Sequence, residues 1–182
     1  MRTSKMQIDM MQKYVARSAA STSAVRGGRN AVPGVKAAAR AFLSQRRILE
    51  SLSAPSIADP STYAAVLNNL TDRLRRSFPA SAQSWGRARK LINIFIRDAS
   101  YNVYLRDAYG LQQLEPLLEL PIDSIVASRL QKIDPTLPRW KSVQGLGPFE
   151  NSRYQNAAKK IAAKRHICRH FLDVEFWGNR EI

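Results

Sequence analysis

Apolar residues recur along this chain mostly at the spacing of a helix. Between residues 33 and 51 the positions Val35, Ala38, Ala39, Phe42 and Leu43 make one apolar face, and Leu67, Leu70, Leu74 and Phe78 make another further on. The punctuation agrees: Pro33 opens the first stretch, Asp59-Pro60-Ser61 caps the second and Pro79 ends it. Residues 5–19 form a leading helix, followed by a flexible break over residues 21–30 that contains Gly27-Gly28. A turn over 81–86 leads into a helix from about 87 to 105, where Leu91, Ile92, Ile94, Phe95, Ile96, Ala99 and Val103 cover most of the circumference. Such a helix belongs in the centre of a domain. Gly110 breaks it from 111–120, Asp123 opens a short helix to Leu130, and Pro135 and Pro138 mark a loop. A basic helix over 152–166 and a last one over 168–178 complete the chain. The expectation is an all-α, single-domain helical bundle: residues 1–30 a basic helix and break, residues 31–182 the helical domain.

Charge changes the picture more than composition does. The 182 residues carry a formal charge of +15, unevenly spread. Residues 1–49 hold ten Lys or Arg against Asp9 alone, and residues 138–170 hold eight against Glu150 alone. The centre is different: Asp98, Asp107, Glu115, Glu119, Asp123 and Asp134 face only Arg106, Arg129 and Lys132 over residues 98–134. Two basic arms around a near-neutral centre read as the footprint of a polyanion, double-stranded DNA first. A membrane surface fits less well, because the basic stretches lack a Trp- and Phe-bearing amphipathic face. No run approaches the length of a membrane span. The first thirty residues lack an apolar signal core, so export is not expected. They are Arg- and Ser-rich and acid-poor, as organelle transit peptides are, but a DNA-facing helix accounts for the same composition. A monomer in the cytoplasm, at the nucleoid, is the expectation.

The single cysteine, Cys168, excludes an internal disulfide and any four-cysteine metal site. His166, Cys168 and His170 would stand at i, i+2 and i+4 of a helix, which turns the cysteine away from the histidine pair; neither a metal nor another cofactor is expected.

Three features could carry chemistry. Asp123 sits behind Pro121 at a helix entrance, among Leu117, Leu118, Leu120, Ile122, Ile125 and Val126. A carboxylate there caps, pairs or reacts, since leaving it idle among apolar side chains is costly. Lys90 lies 33 positions upstream, near the start of the apolar central helix, where a lysine serves either as a nucleophilic amine or as a phosphate contact beside Arg87 and Arg89. Asp173 and Trp177 are four apart on the final helix and so share a face. An acid beside a tryptophan ring can grip a flat heterocycle, or the ring can merely plug the core.

The order of these parts resembles the helix–hairpin–helix DNA glycosylase superfamily, and within it the archaeal 8-oxoguanine DNA glycosylase branch. Lys90 heading a hydrophobic helix, the long gap to Pro121-Ile122-Asp123, and Leu172-Asp173 with Trp177 carry the likeness, which spans about residues 82–178. A Leu-Pro-Gly-Val-Gly hairpin is missing between Lys90 and Asp123; Val32-Pro33-Gly34-Val35 reads as a helix start. The cysteine cluster of the endonuclease III branch is absent, and no residue before 80 matches the branch's base-recognition positions. The resemblance implies a glycosylase that flips a modified base and cleaves its N-glycosidic bond, in repair or in defence against modified phage DNA. Asp123 and Lys90 would be catalytic, with Asp173 and Trp177 binding the base. Arg87, Arg89, Arg139, Lys141, Arg153, Lys159 and Lys160 are the expected DNA contacts. Two alternatives stay open: a transferase or other enzyme modifying hypermodified bases in phage DNA, and a non-enzymatic basic DNA-binding protein.

Overall fold

A computed structural model of the chain describes residues 4–22 and 32–178; most of the expected break over 21–30 lies outside them. The leading helix, α1 (Lys5–Ala19), starts at a reciprocal cap, in which Ser4 Oγ accepts from Gln7 N while the Gln7 side chain accepts from Ser4 N. Its buried face, Ile8, Val15, Ala16 and Ala19, packs into the domain. Gln12 on that face has a second effect. It donates to Leu43 O at 3.0 Å and Gln45 O at 2.8 Å, satisfying carbonyls freed by a helix break. The helix expected over 33–51 is therefore two: α2 (Val35–Leu43) and α3 (Arg46–Glu50).

α4 (Pro60–Ser77) begins where Asp59 accepts from Thr62 N, as the sequence indicated. It lies along the central helix α5 (Trp85–Tyr101). That helix starts two residues earlier than expected, because Ser84 is its cap. It also stops earlier. Asn102 breaks it and caps the next helix, α6 (Val103–Tyr109), by accepting from Leu105 N. A turn at Leu111–Leu114 and a stretch without regular structure over 118–123 follow, then α7 (Ser124–Ile133). A loop leads to α8 (Pro148–Lys164), which begins four residues before the expected start because Pro148 opens it and Glu150 accepts from Gly147 N. The tight turn Arg169–Phe171 and α9 (Leu172–Gly178) complete a fold that is helical, with no strand among the described residues.

The buried apolar residues fall into two clusters. Leu43, Leu49, Leu67, Leu91, Phe95 and Leu105 belong to a cluster built from α1 to α6. Leu120, Ile122, Val126, Tyr154, Leu172 and Phe176 belong to a second, built from α7 to α9. α5 packs on α1, α4 and α6 and also touches α8, so it stands where the two clusters meet. Gly86 in its first turn permits this approach, because a Cβ there would run into Val143 O and Leu146 of the loop before α8. No helix among the described residues is long and apolar enough to cross a membrane.

Candidate active site

Asp123 joins the two clusters chemically. As the cap of α7 it accepts from Ile125 N and Val126 N, each at 3.0 Å, through Oδ1. Its other oxygen, Oδ2, faces Lys90 Nζ of α5 at 3.3 Å. Capping and pairing are thus not alternatives; one oxygen does each. Both side chains are nearly buried, Lys90 at 4% and Asp123 at 10% exposure. A cleft of about 310 Å³ opens onto them. Lys90, Ile94 and Arg97 line it from one face of α5, at i, i+4 and i+7. Pro121 and Asp123 form a second side, Asp173 and Trp177 of α9 a third, and Thr22 after α1 an edge. The four residues singled out from the sequence as catalytic or base-binding line one cavity.

The stretch that presents Asp123 has almost no regular structure, so side chains hold it. Arg169 donates to Leu117 O and Leu118 O. Gln155 of α8 brackets Leu120, accepting from its N at 3.0 Å and donating to its O at 2.7 Å. Between them Glu119 accepts from Asn93 at 3.0 Å and Asn151 at 3.4 Å, and faces the Arg89 guanidinium at 3.4 Å. Every one of these partners comes from a helix or turn outside the stretch itself. Sequence reasoning missed Arg169, Gln155, Asn93 and Asn151, since nothing in their spacing marks them.

Asp173 is not a lone acid. It is hydrogen-bonded to Arg97, which also holds Asp98. Burial tends to discharge the Arg97 guanidinium, yet the carboxylates of Asp98 and Asp173 outweigh it and raise its pKa. Burial pushes the Asp173 carboxyl up to about 6; the Asp123 carboxylate adds to that shift, while Arg97 pulls against it. Arg97 was another omission, hidden among the apolar residues of α5. Trp177, 39% exposed, stands one turn beyond Asp173 with part of its ring in solvent.

The expected DNA contacts divide. Arg139, Lys141, Arg153, Lys159 and Lys160 are exposed, with Arg153 donating to Thr136 O. Arg87 and Arg89 are buried, at 4% and 6% exposure, and their place among surface phosphate contacts is corrected. Arg87 donates to Ala82 O at 2.8 Å. Arg89 donates to Thr71 and Asn68 and lies over the Trp85 ring. Both guanidinium groups thus have acceptors inside the protein.

The expected helical spacing of His166, Cys168 and His170 is also corrected. α8 ends before them in a left-handed turn at His166 (φ +55°), with Ile167 N donating to Ala162 O and His166 N to Ala163 O. Cys168 then caps the turn at Arg169–Phe171. No group of three His, Cys, Asp or Glu among the described residues is placed to hold a metal ion. No family model, no curated protein and no solved structure matches this chain.

Proposed function

We propose that this protein is a DNA glycosylase, which flips a modified base into the cleft between the two cores and cleaves its N-glycosidic bond. The observation that carries the reading is the buried Lys90–Asp123 pair, 3.3 Å apart, in one cavity with Asp173 and Trp177. The resemblance of residues 82–178 to the helix–hairpin–helix glycosylases supports the same roles. A base must leave the stack to reach such a cavity, at a cost of a few kcal/mol that is smallest for damaged or weakly stacked bases.

Asp123 keeps its carboxylate fixed by two backbone N–H groups while Oδ2 faces Lys90, both residues lining the cleft. Held so, it stabilises the positive charge that develops at C1′ and takes the proton Lys90 must lose. The Lys90 amine then forms a bond to C1′ as the C1′–N bond breaks, and the base departs with that electron pair and takes the proton that Asp123 received from Lys90. Opening of the sugar yields a Schiff base, from which elimination of the 3′ phosphate nicks the strand. Asp173 accepts N–H groups of the base and Trp177 stacks on it. The exposed cations of the 139–141 loop and of α8 neutralise phosphates of double-stranded DNA at the nucleoid, the protein acting as a monomer.

Mass spectrometry of what the protein releases from damaged duplexes and from phage DNAs with modified bases tests the reading. A free base is the expected product. A larger modified nucleoside left within the DNA would instead mark a transferase, and no change in any substrate would reduce the protein to a DNA binder.

A further inference from the structure

A second cleft lies further along the same face of α5. Lys90, Ile94 and Arg97 line the first; Tyr101, four residues past Arg97, lines the second. At 1.5 Å rise per residue that step is ~6 Å of helix. The second cleft measures about 270 Å³ against about 310 Å³ for the first. Part of its wall is a group of three rings. His170 and Phe171 have centroids 4.4 Å apart, and Tyr101 lies 5.8 Å and 6.0 Å from them. Tyr101 is 46% and Phe171 38% exposed, so ring surface is left to the solvent. Gln112, Glu115 and Arg106 complete the polar side.

His170 gives the cleft its chemistry. It is fully buried in the wall, and neither ring nitrogen has a hydrogen-bond partner. Burial, aided by Arg97 and Arg169, pushes its pKa down to about 4. The ring is therefore neutral at pH 7 and offers one N–H donor and one acceptor. A buried polar atom left unpaired is costly, and one in the wall of a cleft calls for a ligand group to satisfy it. The remaining groups say what kind. Arg106 is turned to Asp107 and Glu115 adds a negative charge, which disfavours an anion. A flat aromatic surface, a neutral imidazole and an amide suit an uncharged planar heterocycle.

We propose that this second cleft binds a nucleobase, laid on the exposed rings of Tyr101 and Phe171 with its hydrogen-bonding edge toward Gln112 and the His170 wall. The base is supplied either by a free nucleoside or by a DNA strand. The site does not depend on base release in the first cleft, so each can fail without the other.

Saturation-transfer NMR with adenosine, guanosine, cytidine and thymidine tests the first source, and fluorescence polarisation with a labelled single-stranded octanucleotide tests the second. At least one nucleoside or the oligonucleotide should bind saturably. Tyr101→Leu should weaken that binding about tenfold or more, the size expected for losing one stacking ring. His170→Phe should weaken it while leaving thermal stability at or above wild type, because it keeps a ring and removes the unpaired nitrogens. Tyr104→Leu, which removes an exposed ring that lines neither cleft, should leave nucleoside binding unchanged. Nucleosides competing with the oligonucleotide would identify the strand as a source. If no probe binds, or if Tyr101→Leu leaves the binding intact, the proposal is wrong.

Discussion

Residues 87–90 and residues 139–160 are both rich in cations, and the fold uses them in opposite ways. In the first region Arg87, Arg89 and Lys90 are all 6% exposed or less, and each has an acceptor inside the protein: Ala82 O, the Asn68–Thr71 pair with Glu119, and Asp123. In the second, Arg139, Lys141, Arg153, Lys159 and Lys160 stand in solvent. The residue types are the same; what differs is the helix beneath them. α5 is packed on nearly every side through its first three turns, so a charge there must be answered from within. α8 buries one face only, through Tyr154, Ala157, Ala158 and Ile161, and leaves its lysines to the outside. Equal local charge density therefore stays open to solvent in one region and is taken up by an internal network in the other.

The sharpest way to break this contrast is at the pair in the cleft. Asp123→Asn keeps a capping side chain but loses the charge. Base release should fall ~10²- to 10⁴-fold, the usual worth of a catalytic acid or base, with DNA affinity changed no more than a few-fold. Wild-type cutting by that variant would remove Asp123 from the chemistry, and failure to fold would reduce it to a cap. Borohydride should trap a covalent adduct between wild-type protein and DNA during turnover, whereas Lys90→Gln should trap none. Base release without trapping in the wild type would mean that water is the nucleophile.

Arg89 should lose stability instead of activity. Arg89→Met removes a guanidinium that faces Glu119 and leaves that part-buried carboxylate with the amides of Asn93 and Asn151 and the more distant charge of Arg169. Breaking a buried pair in this way costs ~3 kcal/mol or more. Urea unfolding should show the loss, while the folded fraction keeps the wild-type salt dependence of DNA binding. A change in that salt dependence would return Arg89 to the DNA contacts.

Much of the fold was legible because its signals are local. Asp59 and Asp123 cap helices in place, and the period of Leu67, Leu70 and Leu74 was enough to set α4. The cleft was legible for a related reason: Lys90, Asp123, Asp173 and Trp177 are polar or large residues set against apolar runs. The break between α2 and α3 was not, since it depends on Gln12, more than thirty residues away. The same holds for Arg97, whose partner Asp173 is 76 positions distant, and for Gln155, which brackets Leu120 from 35 positions away. The division of the buried residues into two clusters also follows from long-range packing, which periodicity does not record.

A smaller effect should appear in the pH dependence of stability, where two buried groups oppose each other. The Asp173 carboxyl is raised from 3.8 to about 6, mainly by burial, so the folded protein holds that proton more tightly than the unfolded chain. Its contribution favours folding as pH falls through about 6 toward 4, and is lost on going back up. His170 is lowered from 6.5 to about 4, again mainly by burial, so its contribution is present above 6.5 and lost as pH falls toward 4. Wild-type stability should therefore vary little from these two groups between about pH 4 and 6. Asp173→Asn should uncover the His170 limb and make the variant lose stability on acidification across that range, as urea titrations at successive pH values would read. A variant as flat as the wild type would show that the two groups are not both perturbed as described.

The mildest test touches the exposed region alone. If its cations neutralise phosphates, log K for duplex DNA should fall linearly with log salt at about 0.9 per contact, with roughly five to eight contacts for a domain of this size. Lys159 stands in solvent on α8, the helix whose buried side holds Gln155 against Leu120. Lys159→Ala should weaken binding a few-fold to all sequences alike and lower the slope by about one unit. It should leave the choice of released base unchanged, because no atom of Lys159 lines the cleft. Trp177→Ala should do the reverse, keeping the salt slope and losing discrimination between target and normal bases. The two variants together separate phosphate binding from base choice. If Lys159→Ala alters which base is released while Trp177→Ala changes only the salt slope, the base enters from the face of α8 and the cleft beside α5 is not where it is read.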